Sequence, residues 1–118
     1  MGKDYKELKV WQESMKLTKM IYRVTSELPK YELYALGDQA RRAVVSVPSN
    51  IAEGQRRKSR VEFVRFINIA IGSMAELETQ VILMDKLYKL DIGDVLNQIE
   101  LVLKLLFGLR RGIKLTNN

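Results

Sequence analysis

Residues 59–89 read SRVEFVRFINIAIGSMAELETQVILMDKLYK, and this stretch decides the fold. Its apolar side chains follow one another in steps of four and three residues: Phe63, Ile67, Ala70, Met74, Leu77, Val81, Met84 and Tyr88. Such a 3.5-residue repeat is the period at which helices pack side by side in bundles. Ser59 suits the N-cap position, and Glu62 three residues later completes a capping box. The stretch therefore predicts a long helix, at about 59–89, that packs against other helices along one face.

Three further helices are predicted around it, at about 8–28, 33–55 and 91–115. The first ends before Pro29, because the residue that precedes a proline is pushed out of the helical region. Its main apolar line is Leu8, Trp11, Met15, Thr18, Tyr22 and Thr25, and a second line widens it: Val10, Leu17, Ile21, Val24 and Leu28.

The second helix begins near Glu32 or Ala35 and contains a proline, Pro48, in its apolar pattern. A proline inside a helix removes one backbone donor and crowds the preceding turn, so Pro48 either splits the segment or kinks it. We interpret the segment as one kinked helix with Gly54 as its C-terminal stop. Asp91 is expected to be the N-cap of the last helix.

Four helices joined by short turns predict an all-α fold, an up-down-up-down antiparallel four-helix bundle that forms a single domain over residues 1–118. The last helix carries apolar residues beyond its core stripe: Leu96, Leu101, Leu103, Leu105 and Phe107. Because exposed apolar patches usually mark interfaces, we expect several copies of the chain to associate.

The composition argues against catalysis and against bound cofactors. The chain has neither histidine nor cysteine, which removes the commonest general base and the usual zinc ligands. Ser49, Asn50 and Glu53 form the one polar cluster with a catalytic look, and we interpret it as a repair of the proline site. We therefore expect no enzyme activity, no metal and no cofactor. The charged start of the chain and the lack of a long uncharged apolar run predict a cytoplasmic protein without a membrane partner.

The charge pattern is the strongest functional signal. The net charge is +6, and the predicted topology gathers most of the cations at one end of the bundle. We define this basic end by the start of the first helix, the turn between the second and third, and the end of the fourth. Its candidate phosphate-binding residues are Lys6, Lys9, Arg56, Arg57, Lys58, Arg60, Arg110, Arg111 and Lys114. The opposite end is acidic. Such a dipole predicts binding to RNA or DNA with little sequence specificity.

Other functions remain open at this point. The basic end can instead dock an acidic or nucleic-acid-bound protein partner, such as a reverse transcriptase. A structural scaffold and a membrane-surface protein are further alternatives. Arg41 and Arg42 lie midway along the second helix, where they either line the side of the bundle or pair with carboxylates such as Glu76 and Glu78.

The chain also resembles a known family of four-helix bundles, named for open reading frames in intervening sequences of bacterial 23S ribosomal RNA genes. The residues that carry the resemblance are Leu8 to Gln12, Leu28-Pro29, Glu32 to Leu36, Arg42 to Gly54, Glu62-Phe63, Phe66, Ile69-Ala70, Gly72-Ser73 and Glu76 to Thr79. The resemblance implies a bundle that assembles into a cyclic oligomer, a pentamer. A distant branch is similar to the accessory variability determinants of diversity-generating retroelements, which bind nucleic acid and a reverse transcriptase. It implies no catalytic residues.

Overall fold

The computed structural model describes residues 4–113, and all regular structure in that range is helical. Its four long helices are α1 (Lys9–Thr25), α2 (Asp38–Arg56), α3 (Arg60–Tyr88) and α4 (Gly93–Gly112). The predicted all-α fold with four helices is therefore confirmed. The predicted end of the last helix at residue 115 lies outside the described residues.

The first two helices differ from the prediction at their junction. α1 ends at Thr25, three residues earlier than predicted, and backbone bonds such as Leu28 N–H to Thr25 O (3.1 Å) carry the chain round to Pro29. A single helical turn (Lys30–Glu32) and a π-helical turn (Leu33–Gly37) then precede α2. The predicted second helix therefore starts with a wider turn, and its regular part begins only at Asp38.

Pro48 does not split α2, because the helix is continuous from Asp38 to Arg56. Next to the proline, the Ser49 hydroxyl donates to the Val45 carbonyl (2.8 Å) and the Asn50 amide donates to the Ser46 carbonyl (2.7 Å). The polar residues beside Pro48 thus bind carbonyls of the preceding helical turn.

Gly54 was predicted to end this helix, and that prediction is wrong. α2 continues to Arg56, and Gly54 lies buried against α3. A Cβ added at Gly54 would lie only 2.6 Å from the Cβ of Phe66. The glycine is therefore needed for the close approach of two helices rather than for a helix end.

The four long helices enclose one core, since α2 and α4 each pack against both α1 and α3. Seven of the eight residues of the α3 stripe are buried as predicted: Phe63, Ile67, Ala70, Met74, Leu77, Val81 and Met84. In α1 the two apolar lines exchange roles. All five residues of the second line are buried, whereas Met15 and Tyr22 of the first line are 40% and 44% exposed.

The excess apolar residues of α4 are largely absorbed by the core. Leu96, Leu103 and Leu105 pack against it, and only Leu101 is markedly exposed, at 36%. Five exposed apolar side chains lie instead on α3: Val61, Ile69, Ile82, Leu83 and Leu87. The start of α4 also differs from the prediction, because Ile92 occupies the N-cap position and Asp91 accepts a bond from the Gly93 N–H (3.3 Å).

The contacts between helices are compatible with the predicted up-down order. Arg41 near the start of α2 reaches Thr25 at the end of α1, whereas Arg56 at the end of α2 reaches Asp4 before α1. The molecule is elongated, with extents of 52 × 22 × 20 Å, so its two ends are well separated. By length and composition α3 is long and apolar enough to cross a bilayer, and its buried stripe gives that composition a packing role in the core.

Candidate nucleic-acid interface

The beginning of the chain meets the end of α2 at the basic end. The Arg56 guanidinium lies 3.8 Å from the Asp4 carboxylate and 5.3 Å from the centroid of the Tyr5 ring. Tyr5 in turn packs edge to face against Trp11, with ring centroids 5.5 Å apart. This packing places Lys6, next to Tyr5, on the same end of the bundle as Arg56. Sequence reasoning missed the aromatic pair, because its contact depends on how the 3-10 turn folds back on α1.

The turn between α2 and α3 concentrates four of the candidate cations. Lys58 adopts a left-handed conformation (φ 54°), which reverses the chain within a few residues. Ser59 then caps α3, its hydroxyl accepting a bond from the Glu62 N–H at 3.3 Å. As a result Arg56, Arg57, Lys58 and Arg60 lie at two adjoining helix ends. The cap is as predicted, but the Glu62 carboxylate pairs with arginines.

Arg57 is already engaged within the bundle. Its guanidinium lies 2.7 Å from Glu53 and 3.8 Å from Glu62, and it covers the Phe66 ring at 5.1 Å. The hydrogen bond from Glu53 raises the pKa of Arg57 above its ordinary value. Arg65 flanks the same ring at 5.3 Å and pairs with Glu62 at 3.3 Å. These two arginines therefore help to hold α2 against α3, and only part of their charge is open to a ligand.

The end of α4 also reaches this part of the molecule. Arg110 donates to the side-chain oxygen of Asn68 on α3 (2.8 Å) and covers the Phe107 ring at 5.1 Å. Asn68 is eight residues from Arg60, about 12 Å along the helix. The contact therefore brings the α4 cations to the side of α3 near the basic turn. Lys114 lies outside the described residues.

Three candidate cations remain fully available. Lys58, Arg60 and Arg111 are exposed and form no ion pair with any residue between 4 and 113. Lys9, by contrast, pairs with Glu13 at 3.4 Å. Of the predicted cations eight are described, against four carboxylates in the same segments (Asp4, Glu7, Glu53 and Glu62). The end is thus positive, and Arg65, which the sequence reasoning did not include, adds a further charge.

The opposite end has a different chemistry. The Tyr88 hydroxyl donates to the Glu32 carboxylate, and Tyr31 packs edge to face on Tyr88 with centroids 6.5 Å apart. Tyr31 and Tyr34 are 76% and 82% exposed. Lys89 repeats the left-handed conformation of Lys58 (φ 55°) where α3 ends.

The two arginines in the middle of α2 separate in function. Arg41 binds α1, where it donates to the Thr25 hydroxyl (2.8 Å) and stacks over Tyr22 at 4.5 Å. Arg42 instead lines a polar groove between α2 and α3. We call this the α2–α3 groove; it has a volume of about 330 Å³ and is lined by Gln39, Arg42, Ala43, Ser46, Ser73, Glu76 and Gln80. The predicted alternative of an Arg42–Glu76 ion pair is not formed in the described structure.

Comparison with known proteins agrees with this architecture. The family model described as 23S rRNA-intervening sequence protein matches residues 6–108, which include all four long helices down to the last turn of α4. No curated protein matches the chain. The description of the family points to an RNA-related role. The chain therefore belongs to the 23S rRNA-intervening sequence protein family.

Proposed function

We propose that the protein is a non-catalytic accessory protein that binds RNA or DNA through the phosphate backbone at its basic end. The observation that carries the proposal is the convergence of three separate chain segments. Arg56 lies against Tyr5, the α2–α3 turn presents Lys58 and Arg60, and Arg110 lies against α3. Cations from distant parts of the sequence meet on one end, which a solubility role for the individual charges does not require.

The available side chains favour contact with phosphates over contact with bases at this end. Lys58, Arg60 and Arg111 are exposed cations without intramolecular partners in residues 4–113. The nearby rings of Tyr5 and Phe66 are covered by arginines, so they offer no open face for a base to stack on. Phosphate contacts carry little sequence information and make binding strongly dependent on salt. The basic end is therefore expected to bind many sequences alike.

We further propose that several copies of the chain associate, in line with the pentamer that the family resemblance implies. An apolar groove of about 340 Å³ runs between α1 and α2, lined by Tyr5, Trp11, Met15, Thr18, Val45, Pro48, Ser49 and Ala52. Met15 and Val45 in it are 40% and 42% exposed. Association along this side would place several basic ends together and raise affinity through effective concentration. A light-scattering mass of one 13.6 kDa chain at micromolar concentration would contradict it.

The test of nucleic-acid binding compares two triple variants with the same change in charge. One carries Lys58→Glu, Arg60→Glu and Arg111→Glu at the basic end. The other carries Lys30→Glu, Lys86→Glu and Lys89→Glu at the opposite end. Lys58 and Lys89 share the left-handed conformation, so the backbone demands of the two variants are similar. Each is titrated into labelled structured RNA and duplex DNA at low and near-physiological salt.

We expect the basic-end variant to lose at least about tenfold in affinity, and its dependence on salt to become shallower by up to about three phosphate contacts. The opposite-end variant should lose far less. Equal losses in the two variants would show that only net charge matters and would contradict a localised site. Absence of binding by the unmodified protein at either salt would contradict the proposal as a whole.

A further inference from the structure

The α2–α3 groove contains a polar atom that the fold leaves without a partner. The side-chain oxygen of Gln80 is buried and accepts no hydrogen bond from residues 4–113. A buried acceptor without a donor is unfavourable, and native proteins rarely keep one without a reason. Because this oxygen lies in a groove of about 330 Å³, a ligand that enters the groove can supply the missing donor.

The walls of the groove carry both a cation and an anion that are open to a ligand. The Arg42 guanidinium and the Glu76 carboxylate are exposed, and neither is paired within the described part of the chain. The floor is polar too, since the Ser46 hydroxyl donates to that of Ser73 across the helix interface. The groove thus offers acceptors at Gln80 and Glu76 and donors at Arg42. It suits a compact group with hydrogen-bond donors on one edge and acceptors on another.

From this arrangement we propose that the α2–α3 groove binds one unpaired guanine base of a single-stranded nucleic acid, an inference that rests on the proposed function. Guanine carries an exocyclic amino donor on one edge and the O6 and N7 acceptors on another. Arginine paired with O6 and N7 is the commonest specific contact to this base. The Glu76 carboxylate and the Gln80 oxygen provide acceptors for the amino group. Unpaired bases are commonly read in this way, through hydrogen bonds to their exposed edges.

The position of the groove relative to the basic end supports the same reading. Ser46 is eleven residues from Arg57 along α2, and Ser73 is eight residues from Arg65 along α3. At 1.5 Å per residue these separations are about 16 and about 12 Å. A stacked strand rises ~3.4 Å per nucleotide, so about four nucleotides connect the two sites. One strand can therefore place its phosphates on the basic turn and one base in the groove.

The test uses twelve-nucleotide oligouridines that differ at one central position: guanine, inosine, adenine or an abasic site. Inosine lacks only the exocyclic amino group of guanine, so it removes the donor meant for Glu76 and Gln80. We expect the guanine strand to bind about tenfold more tightly than the inosine, adenine or abasic strands. Each affinity is measured at two salt concentrations, so that phosphate contacts are followed separately.

Two variants locate the effect. Glu76→Gln should abolish the preference for guanine over inosine while the salt dependence stays unchanged. Glu78→Gln, the same change on the same helix outside the groove, should keep the preference. Gln80→Leu should also lose it, and it should not lower the melting temperature, because it removes a buried acceptor that has no partner.

The outcomes separate this inference from the proposed function. Equal affinity for all four strands, with steep salt dependence retained, overturns the guanine site and leaves phosphate binding intact. The same conclusion follows if Glu76→Gln keeps the preference for guanine, or if Glu78→Gln loses it equally. Failure of every strand to bind at low salt overturns both.

Discussion

The basic end and the opposite end of the bundle are both turns between antiparallel neighbours, yet they are held by different means. At the basic end, short groups hold the turn: the Gly54 backbone touches α3, and the Ser59 hydroxyl caps it. At the opposite end long side chains hold it, since Tyr88 binds Glu32 and Tyr31 packs on Tyr88. There the helix that follows starts without a side-chain cap hydrogen bond.

This difference determines which side chains remain open to a partner. Because a glycine and a serine suffice to fix the basic turn, the long side chains of Lys58 and Arg60 stay exposed and unpaired within the described structure. At the other end, the side chains that span the turn are themselves part of the fold. A surface intended for binding can therefore be built where backbone and short side chains provide the stability.

The largest effect on stability is expected from Gly54→Ala at the α2–α3 contact. The added Cβ would lie 2.6 Å from the Cβ of Phe66, so the helices must separate. Overpacking of this kind costs about 1–3 kcal/mol of the free energy of unfolding, measurable by urea denaturation. The control is Gly72→Ala, where an added Cβ meets nothing within 4 Å. That change should stabilise the helix by roughly 0.5–1 kcal/mol, and equal effects at the two glycines would contradict the close contact.

A smaller effect is expected from the helix caps. Ser59→Ala removes the hydroxyl that accepts from the Glu62 N–H and should lower the free energy of unfolding by ~1 kcal/mol. Asp91→Ala removes only the bond to the Gly93 N–H outside the cap position, so we expect a loss of roughly a few tenths of a kcal/mol. Urea denaturation of the two variants side by side measures the difference. A larger loss for Asp91→Ala would show that the opposite end depends on its turn residues too.

The smallest effect is a change in the pH dependence of stability at the opposite end. The hydrogen bond to the Glu32 carboxylate raises the pKa of Tyr88 above its ordinary value. The folded state therefore holds this proton more tightly than the unfolded state, where the pKa is ~10. Its contribution is complete below about pH 10 and is lost as the pH rises through the folded-state pKa. The stability advantage of the unmodified protein over Tyr88→Phe should shrink between about pH 8 and about pH 11, whereas a constant difference would contradict the bond.

Much of the fold was predictable because helix periodicity is a local property of the sequence. The α3 stripe from Phe63 to Met84 is buried as its spacing predicts, and Ser59 caps the helix as expected. The prediction for α1 was less complete. Two neighbouring apolar lines both fit a helix, and only the position of the other helices determines that Leu17 and Ile21 face the core while Met15 and Tyr22 do not.

The candidate site was predictable in its residues but not in its pairings. Charge along the chain pointed to Arg56, Arg57 and Arg60, and the fold does place them together. The sequence could not show that Arg57 is held by Glu53 and Glu62, or that Arg110 lies against Asn68. The α2–α3 groove was missed altogether, because Gln39 and Gln80 are distant in sequence and ordinary in composition.

The sequence by itself determined four amphipathic helices, their approximate limits and the segments that carry positive charge, since each follows from neighbours along one chain. Only the tertiary structure decided that Gly54 serves a helix contact, which cations remain free, and where the Gln80 oxygen is left without a partner in the described residues. These features depend on distances between helices. Such distances are set by the packing of all four helices at once, which no single stretch of sequence specifies.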